Sequence, residues 1–209
     1  MKSTDRVRYI TTLSMLTALL IVMSATGIGF IPLPLIKATT MHIPVIIGAV
    51  LLGPKAGAFL GGVFGMCSIV VNSLTPSIIS FAFSPFMSTT GLWGAVKAVW
   101  IALGCRILFG LIAGLLADLF KKIKLHNAMA LPITAVISTI CHTLLVMGSI
   151  YILLAQQYAE AKNVALSAVF GLVMGTVATS GIPEAIAAAI LVTAIGLPLI
   201  SLVFKAKKR

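Results

Sequence analysis

The sequence predicts an all-α integral membrane protein: a bundle of six transmembrane helices with both termini in the cytoplasm. Three observations carry this prediction. The chain of 209 residues is 60% hydrophobic and only 9% charged, with a mean hydropathy of +1.17, far too apolar for a water-soluble surface. Its apolar residues run in stretches of about 20, the length a helix needs to cross a hydrocarbon core of roughly 30 Å. Its basic residues gather on alternate connections.

Segments in lipid must satisfy their own backbone groups, as helices or as a closed barrel. The strict alternation of barrel strands is missing, so helices are expected. Little chain remains for a soluble part, and residues 1–209 are expected to form one membrane domain. The net charge of +11 does not mark a nucleic-acid binder, because the charges sit at helix ends rather than along one face. The first apolar stretch follows Arg6 and Arg8 but is too long for a signal-peptide core and is read as a retained helix. Cys67, Cys105 and Cys141 lie in apolar segments at spacings that fit no metal motif, so they are expected to be packing thiols.

The first helix is expected over residues 9–30. The stretch 31–40 holds Pro32 and Pro34 and reads as a loop. Helix two follows over 41–53, a tight turn over 53–57, and helix three over 58–74. A loop covers 75–88. Helix four spans 92–120 and ends at Lys121 and Lys122, and helix five spans 129–154. Residues 156–180 admit two readings, a short re-entrant helix or part of the last span. Helix six opens at Pro183, in the position proline favours, and runs to about residue 204.

Orientation follows from lysine and arginine. In the six-helix arrangement Lys2, Arg6, Arg8, Lys55, Lys121, Lys122, Lys124, Lys205, Lys207, Lys208 and Arg209 fall on one side, eleven of the fifteen basic residues. The opposite loops hold Lys37 and Lys162. Both ends are therefore expected inside the cell.

Few polar groups lie within the spans. At about 1.5 Å per residue from the cytoplasmic helix ends, His42 sits about 17 Å up, His142 about 20 Å, Arg106 about 21 Å, Asn72 about 24 Å and Glu184 about 30 Å. These five form one layer toward the outer face, with Lys97 at the outer interface. Ionisable groups in a membrane face a cavity or a partner. One asymmetric layer suggests a pocket open to the outside, not a channel or a proton wire. The bland alternatives are a structural pairing of Arg106 with Glu184, interhelical bonding by Asn72 and His142, and helix capping by Glu184. Trp93 and Trp100 read as interface anchors. Gly57, Gly61 and Gly65, and Gly110 with Gly114, form small-residue stripes that let helices approach closely.

No G-x-x-x-x-G-K-[ST], H-E-x-x-H or G-x-S-x-G motif occurs, so neither a P-loop ATPase nor these hydrolase types is indicated. No catalytic residue or metal ligand is assigned.

The run Thr40-Met41-His42-Ile43-Pro44-Val45-Ile46-Ile47-Gly48, followed by Leu52-Gly53-Pro54-Lys55-Ala56-Gly57, resembles the second and third helices of substrate-binding (S) components of energy-coupling factor vitamin transporters. Ser84-Pro85-Phe86, Arg106-Ile107-Leu108-Phe109-Gly110 and Gly181-Ile182-Pro183-Glu184-Ala185-Ile186 are similar to further positions of that family. The resemblance implies a six-helix bundle that binds a vitamin near the outer face under the loop between helices one and two. It also implies a transmembrane coupling subunit and two cytoplasmic ATPases as partners. No cofactor is expected in this chain, since ATP is used by the partners, and substrate is released by toppling of the subunit in the membrane. The small-residue pattern that touches the coupling subunit has its nearest match at Ser14 and Ala18. Within the family the second-helix pattern is most similar to the pantothenate branch. The substrate site is then expected among Thr40, His42, Asn72, Phe86, Lys97, Trp100, Arg106, His142 and Glu184, with Arg106 holding a carboxylate. Hydroxymethylpyrimidine, pyridoxine and riboflavin stay open as cargoes; a flat ring would stack on Phe81, Phe83, Phe86 or Trp100. Two rivals stand beside this reading. One is a self-contained secondary transporter. The other is an intramembrane enzyme built on His142 and a serine.

Overall fold

A computed structural model describes residues 3–32 and 37–205. Helix α1 (Ser3–Ala25) leads through Gly27, whose φ of 75° stops the helix, into a small hairpin. Strands β1 (Phe30–Pro32) and β2 (Lys37–Thr39) pair antiparallel with Phe30 opposite Thr39. Helix α2 (His42–Leu52) and helix α3 (Pro54–Leu74) meet at Gly53, which takes a φ of 91°, while Pro54 opens α3. Two 3-10 turns, Ser80–Ala82 and Pro85–Met87, follow. Helix α4 (Gly91–Val99), a π turn (Trp100–Gly104) and helix α5 (Cys105–Lys122) form one rod. Helix α6 (Asn127–Lys162) departs from helical geometry at Leu154 and ends on a left-handed Asn163. A last rod joins helix α7 (Val169–Thr176), a second π turn (Val177–Gly181) and helix α8 (Ile182–Lys205).

Five of these rods are long and apolar enough to cross a membrane. The second helix is a correction to the expected span. Its 11 residues reach about 16 Å, half of a hydrocarbon core. The all-α fold class holds, with a hairpin of two three-residue strands lying where a plain loop was expected. Residues 156–180 form no re-entrant helix. They complete α6, turn at Asn163 and begin the last rod, which is helical from Leu166 to Ser201. Of the basic residues used to orient the chain, Lys2, Lys207, Lys208 and Arg209 lie outside the described residues, as do the side chains of Lys37 and Lys205.

Helices α3 and α5 run antiparallel in backbone contact. A Cβ added at Gly57 would strike the carbonyl oxygen of Gly110, one at Gly110 the carbonyl of Gly57, and one at Gly61 the carbonyl of Arg106. The glycine stripes thus serve packing inside the chain. Gly114 lies against Pro54, so the start of α3 and the end of α5 share one end of the bundle. There Lys121 Nζ donates to the carbonyl of Val50 at 2.8 Å. Lys55, Lys121, Lys122 and Lys124 gather at this end. Two apolar clusters fill the interior. One joins Leu20, Ile46, Leu60, Phe64 and Phe109 with Ala188 and Val192. The other joins Phe81, Ile101, Met147, Ile150 and Val173. The polar layer lies where they meet.

The α3–α5 contact is the most size-sensitive place in the bundle. Gly110→Leu is expected to lower the melting temperature in detergent or abolish the monodisperse protein, as overpacking costs about 1–3 kcal/mol or more. Gly148→Ala, where an added Cβ meets nothing within 4 Å, is expected to melt with the native chain.

Candidate functional site

A cavity of about 70 Å³ lies at the far side of the bundle from the clustered lysines and is lined by Phe30, Thr39, Ser68, Asn72, Ser77, Ile79, Phe83, Arg106, His142, Thr143, Val146, Met147, Thr176, Ser180 and Glu184. That is room for several water molecules or for the polar part of a small solute. Because α2 is half-length, the hairpin rather than a helix covers this side.

Arg106 sits at the first turn of α5 and is 4% exposed. Its backbone is held by the contact with Gly61. The preceding π turn leaves carbonyls within reach of its own side chain. Nη1 donates to Ala102 O at 2.8 Å and to Ile101 O at 3.2 Å. The guanidinium carbon lies 4.6 Å from the centre of the Phe64 ring and 5.3 Å from that of Phe83. Aromatic faces favour a cation but do not neutralise it. Nε has no hydrogen-bond partner, and among the described residues no carboxylate lies within 4.0 Å of the guanidinium. The expected alternative, a structural pair with Glu184, is not formed.

Glu184 instead ties the hairpin down. Its Oε1 accepts from the backbone N–H of Thr39 at 2.8 Å, joining β2 to the first turn of α8. Phe30, at the other strand, is buried 6.1 Å from the Phe64 ring. Arg106 and Glu184 lie two and three residues after the ends of the two π turns, and such bulges are frequent at functional sites. Thr176, Ser180 and Glu184 recur at four-residue intervals and line one wall together.

His142 lies between Phe109 and Phe64, its ring tilted 49° and 45° to theirs, with ring centres 4.9 and 5.7 Å away. His42 is fully buried close to the backbone of Thr39 and Glu184. Neither histidine completes a hydrogen bond, nor do the buried hydroxyls of Ser138 and Thr139, one turn from His142 on α6. Buried polar groups normally find partners, so these four residues and Arg106 Nε make a set of donors and acceptors that the described protein leaves open. Asn72 is different. Its amide donates to Ser68 O at 2.9 Å and its oxygen accepts from Ser80 Oγ at 2.9 Å. It edges the cavity but is engaged in anchoring the 75–88 loop.

The structure therefore brings together Asn72, Arg106, His142 and Glu184, with His42 beside them. It does not bring in four other expected residues. Thr40 Oγ1 donates to Ile28 O at 2.9 Å, and its neighbour Thr39 is the lining residue. Phe86 is 84% exposed. Lys97 Nζ donates to Leu153 O at 3.0 Å, next to the irregular Leu154 in α6. Trp100 packs over Gly104 and is half exposed, as an interface anchor would be. Ser14 and Ala18 lie on the exposed face of α1, opposite the buried Leu16 and Leu20. Residues missed by sequence reasoning include Ser68, Thr143, Thr176 and Ser180. The four-residue spacing of Thr176 and Ser180 to Glu184 was the available signal.

A membrane bundle with a covered polar cavity holding an uncompensated cation defines a binding protein for a small polar solute. Residues 8–196 match the family model for the ECF transporter, substrate-specific component. The chain is also 36% identical over 165 residues, 78% of each protein, to the pantothenic acid transporter PanT of Lactococcus lactis subsp. cremoris (strain MG1363). The chain belongs to the family of substrate-specific components of ECF transporters, and is a multi-pass membrane protein. Its family and this relative are transporters, not enzymes.

The Glu184–Thr39 bond is expected to hold the hairpin shut. Glu184→Ala should speed hydrogen exchange at the Thr39 amide about fivefold or more, the weight of one hydrogen bond. Glu184→Gln keeps an acceptor and should show a smaller change. Unchanged exchange in Glu184→Ala would mean that other contacts close the hairpin.

Proposed function

We propose that this chain is the pantothenate-binding subunit of an ECF-type importer in a bacterial plasma membrane. The observation that carries this reading is the buried guanidinium of Arg106 without a carboxylate beside it. Burying an unpaired charge costs several kcal/mol. A substrate carboxylate relieves that cost and can engage a guanidinium through two parallel hydrogen bonds. Pantothenate offers one carboxylate, one amide, two hydroxyls and a gem-dimethyl group. The cavity offers Arg106 for the first, Ser, Thr and His side chains with Glu184 for the polar remainder, and Val146, Met147 and Phe83 for the methyl groups. The 36% identity to a pantothenic acid transporter supports the same cargo. A flat aromatic cargo has less support, since Phe86 and Trp100 stay outside the cavity.

The rest of the proposal follows from family membership. The chain works with a transmembrane coupling subunit and two cytoplasmic ATPases, which use the ATP. Both termini and the lysine-rich end face the cytoplasm, and the cavity faces out. The exposed strip of α1 carrying Ser14 and Ala18 meets the coupling subunit. Binding precedes toppling of the subunit, which releases substrate inside.

Calorimetric titration of the purified chain with a vitamin panel is expected to give one-to-one binding of pantothenate without ATP or ions. Arg106→Ala is expected to weaken it by about 30-fold or more, in line with loss of a charge-assisted bond worth about 2–3 kcal/mol, and Arg106→Lys to retain part of it. Unaltered affinity in Arg106→Ala would remove Arg106 from the site.

A further inference from the structure

A second, larger cavity lies at the lysine-rich end, apart from the polar one. Gly114 of α5 touches Pro54 at the α2–α3 turn, yet α5 continues to Lys122. Those eight further residues extend about 12 Å past the turn. Helix α6 begins alongside at Asn127, and α8 descends with Ile200 and Ser201. Because α2 stops short of its neighbours, a space of about 550 Å³ is left beneath its last turn.

The walls of this space are apolar, with Val50, Ala117, Leu131 and Ile200 facing it. Thr134 also lines it, but its hydroxyl donates to Ala130 O at 2.7 Å and is satisfied within its own helix. Lys121 and Asn127 stand at its edge, at the ends of α5 and α6. The Lys121 ammonium donates to Val50 O at 2.8 Å and reaches Asp118 at 3.5 Å. An ammonium has three donors, so one is left. Lys122 and Lys124 are exposed on the same end.

We propose that this cavity seats one acyl chain of an anionic phospholipid whose phosphate is held by Lys121. Hydrocarbon suits the apolar walls, which lose dispersion contacts if nothing packs against them. The lysines lie where the apolar rod Gly91–Lys122 ends, at the level of lipid headgroups. Basic pockets between helices at such a surface attract phosphate-bearing lipids. The lipid completes the support under the C-terminal end of α2, the helix whose other end carries His42.

The test is native mass spectrometry of the whole chain in mild detergent with phosphatidylglycerol or phosphatidylcholine added. One phosphatidylglycerol is expected to survive activation that strips phosphatidylcholine. Lys121→Ala should lower the retained fraction about fivefold, the weight of one lysine at an anionic surface. Ala130→Phe, which occupies the cavity edge without touching charge, should lower it as well, so the proposal does not rest on one variant. Lys122→Ala should retain the lipid. Soluble glycerophosphoglycerol at millimolar concentration should not displace it; displacement would show a free-phosphate site instead. Equal retention of the two lipids, or full retention in Ala130→Phe, would overturn the proposal.

Discussion

Arg106 stands where it does because two helix backbones touch. Without side chains at Gly57, Gly61 and Gly110, α3 and α5 come together until carbonyl groups meet the facing glycines. Gly61 receives the carbonyl of Arg106 itself. This contact sets the guanidinium over Phe64, three residues, about one helical turn, beyond Gly61 on the same helix. It also fixes the height of the α2–α3 turn, because Gly114 bears on Pro54. The polar cavity and the apolar one beneath α2 both depend on that height. Small residues do in lipid what the hydrophobic effect does in water, since apolar chains gain little by leaving a hydrocarbon solvent.

The rest of the site is arranged around the charge that this contact buries. A cation in the membrane interior is costly unless something answers it. Two backbone carbonyls and two aromatic faces answer Arg106 in part, and none of these carries a full negative charge. Glu184, the carboxylate in the same cavity, is engaged with the hairpin. One acid thus serves the cover, and among the described residues the base has no carboxylate beside it. Arg106 and the Glu184–Thr39 tie of the hairpin both border the same cavity.

Much of this was legible in the sequence. Counting residues from the basic helix ends placed Asn72, Arg106, His142 and Glu184 at similar heights, and the structure joins all four in one cavity. The rise of a helix is fixed, so depth can be counted. Rotation about the helix axis is harder to read. Lipid-facing and core-facing side chains are both apolar here, so the amphipathic signal that orients a helix in a soluble protein is weak. That is why Phe86, Lys97 and Trp100 lie outside the cavity and Thr176 and Ser180 went unnoticed. The π turns before Arg106 and Glu184 have no local signature beyond Gly104 and Gly181. The hairpin is too short to show alternation, and its prolines read as loop. The half-length of α2 is the exception among the misreadings: a run of about 13 residues before Gly53 was already too short for a full span.

Among the described residues Arg106 has no counter-ion, and on the proposed reading a substrate carboxylate takes that place. The most direct test compares pantothenate with its alcohol analogue, in which the carboxylate is replaced by a hydroxymethyl group, by calorimetric titration of the purified chain. The two share every other group. The alcohol is expected to bind about 30-fold or more weakly, and this difference is expected to disappear in Arg106→Ala. Equal affinity of the native chain for the two compounds would contradict that reading.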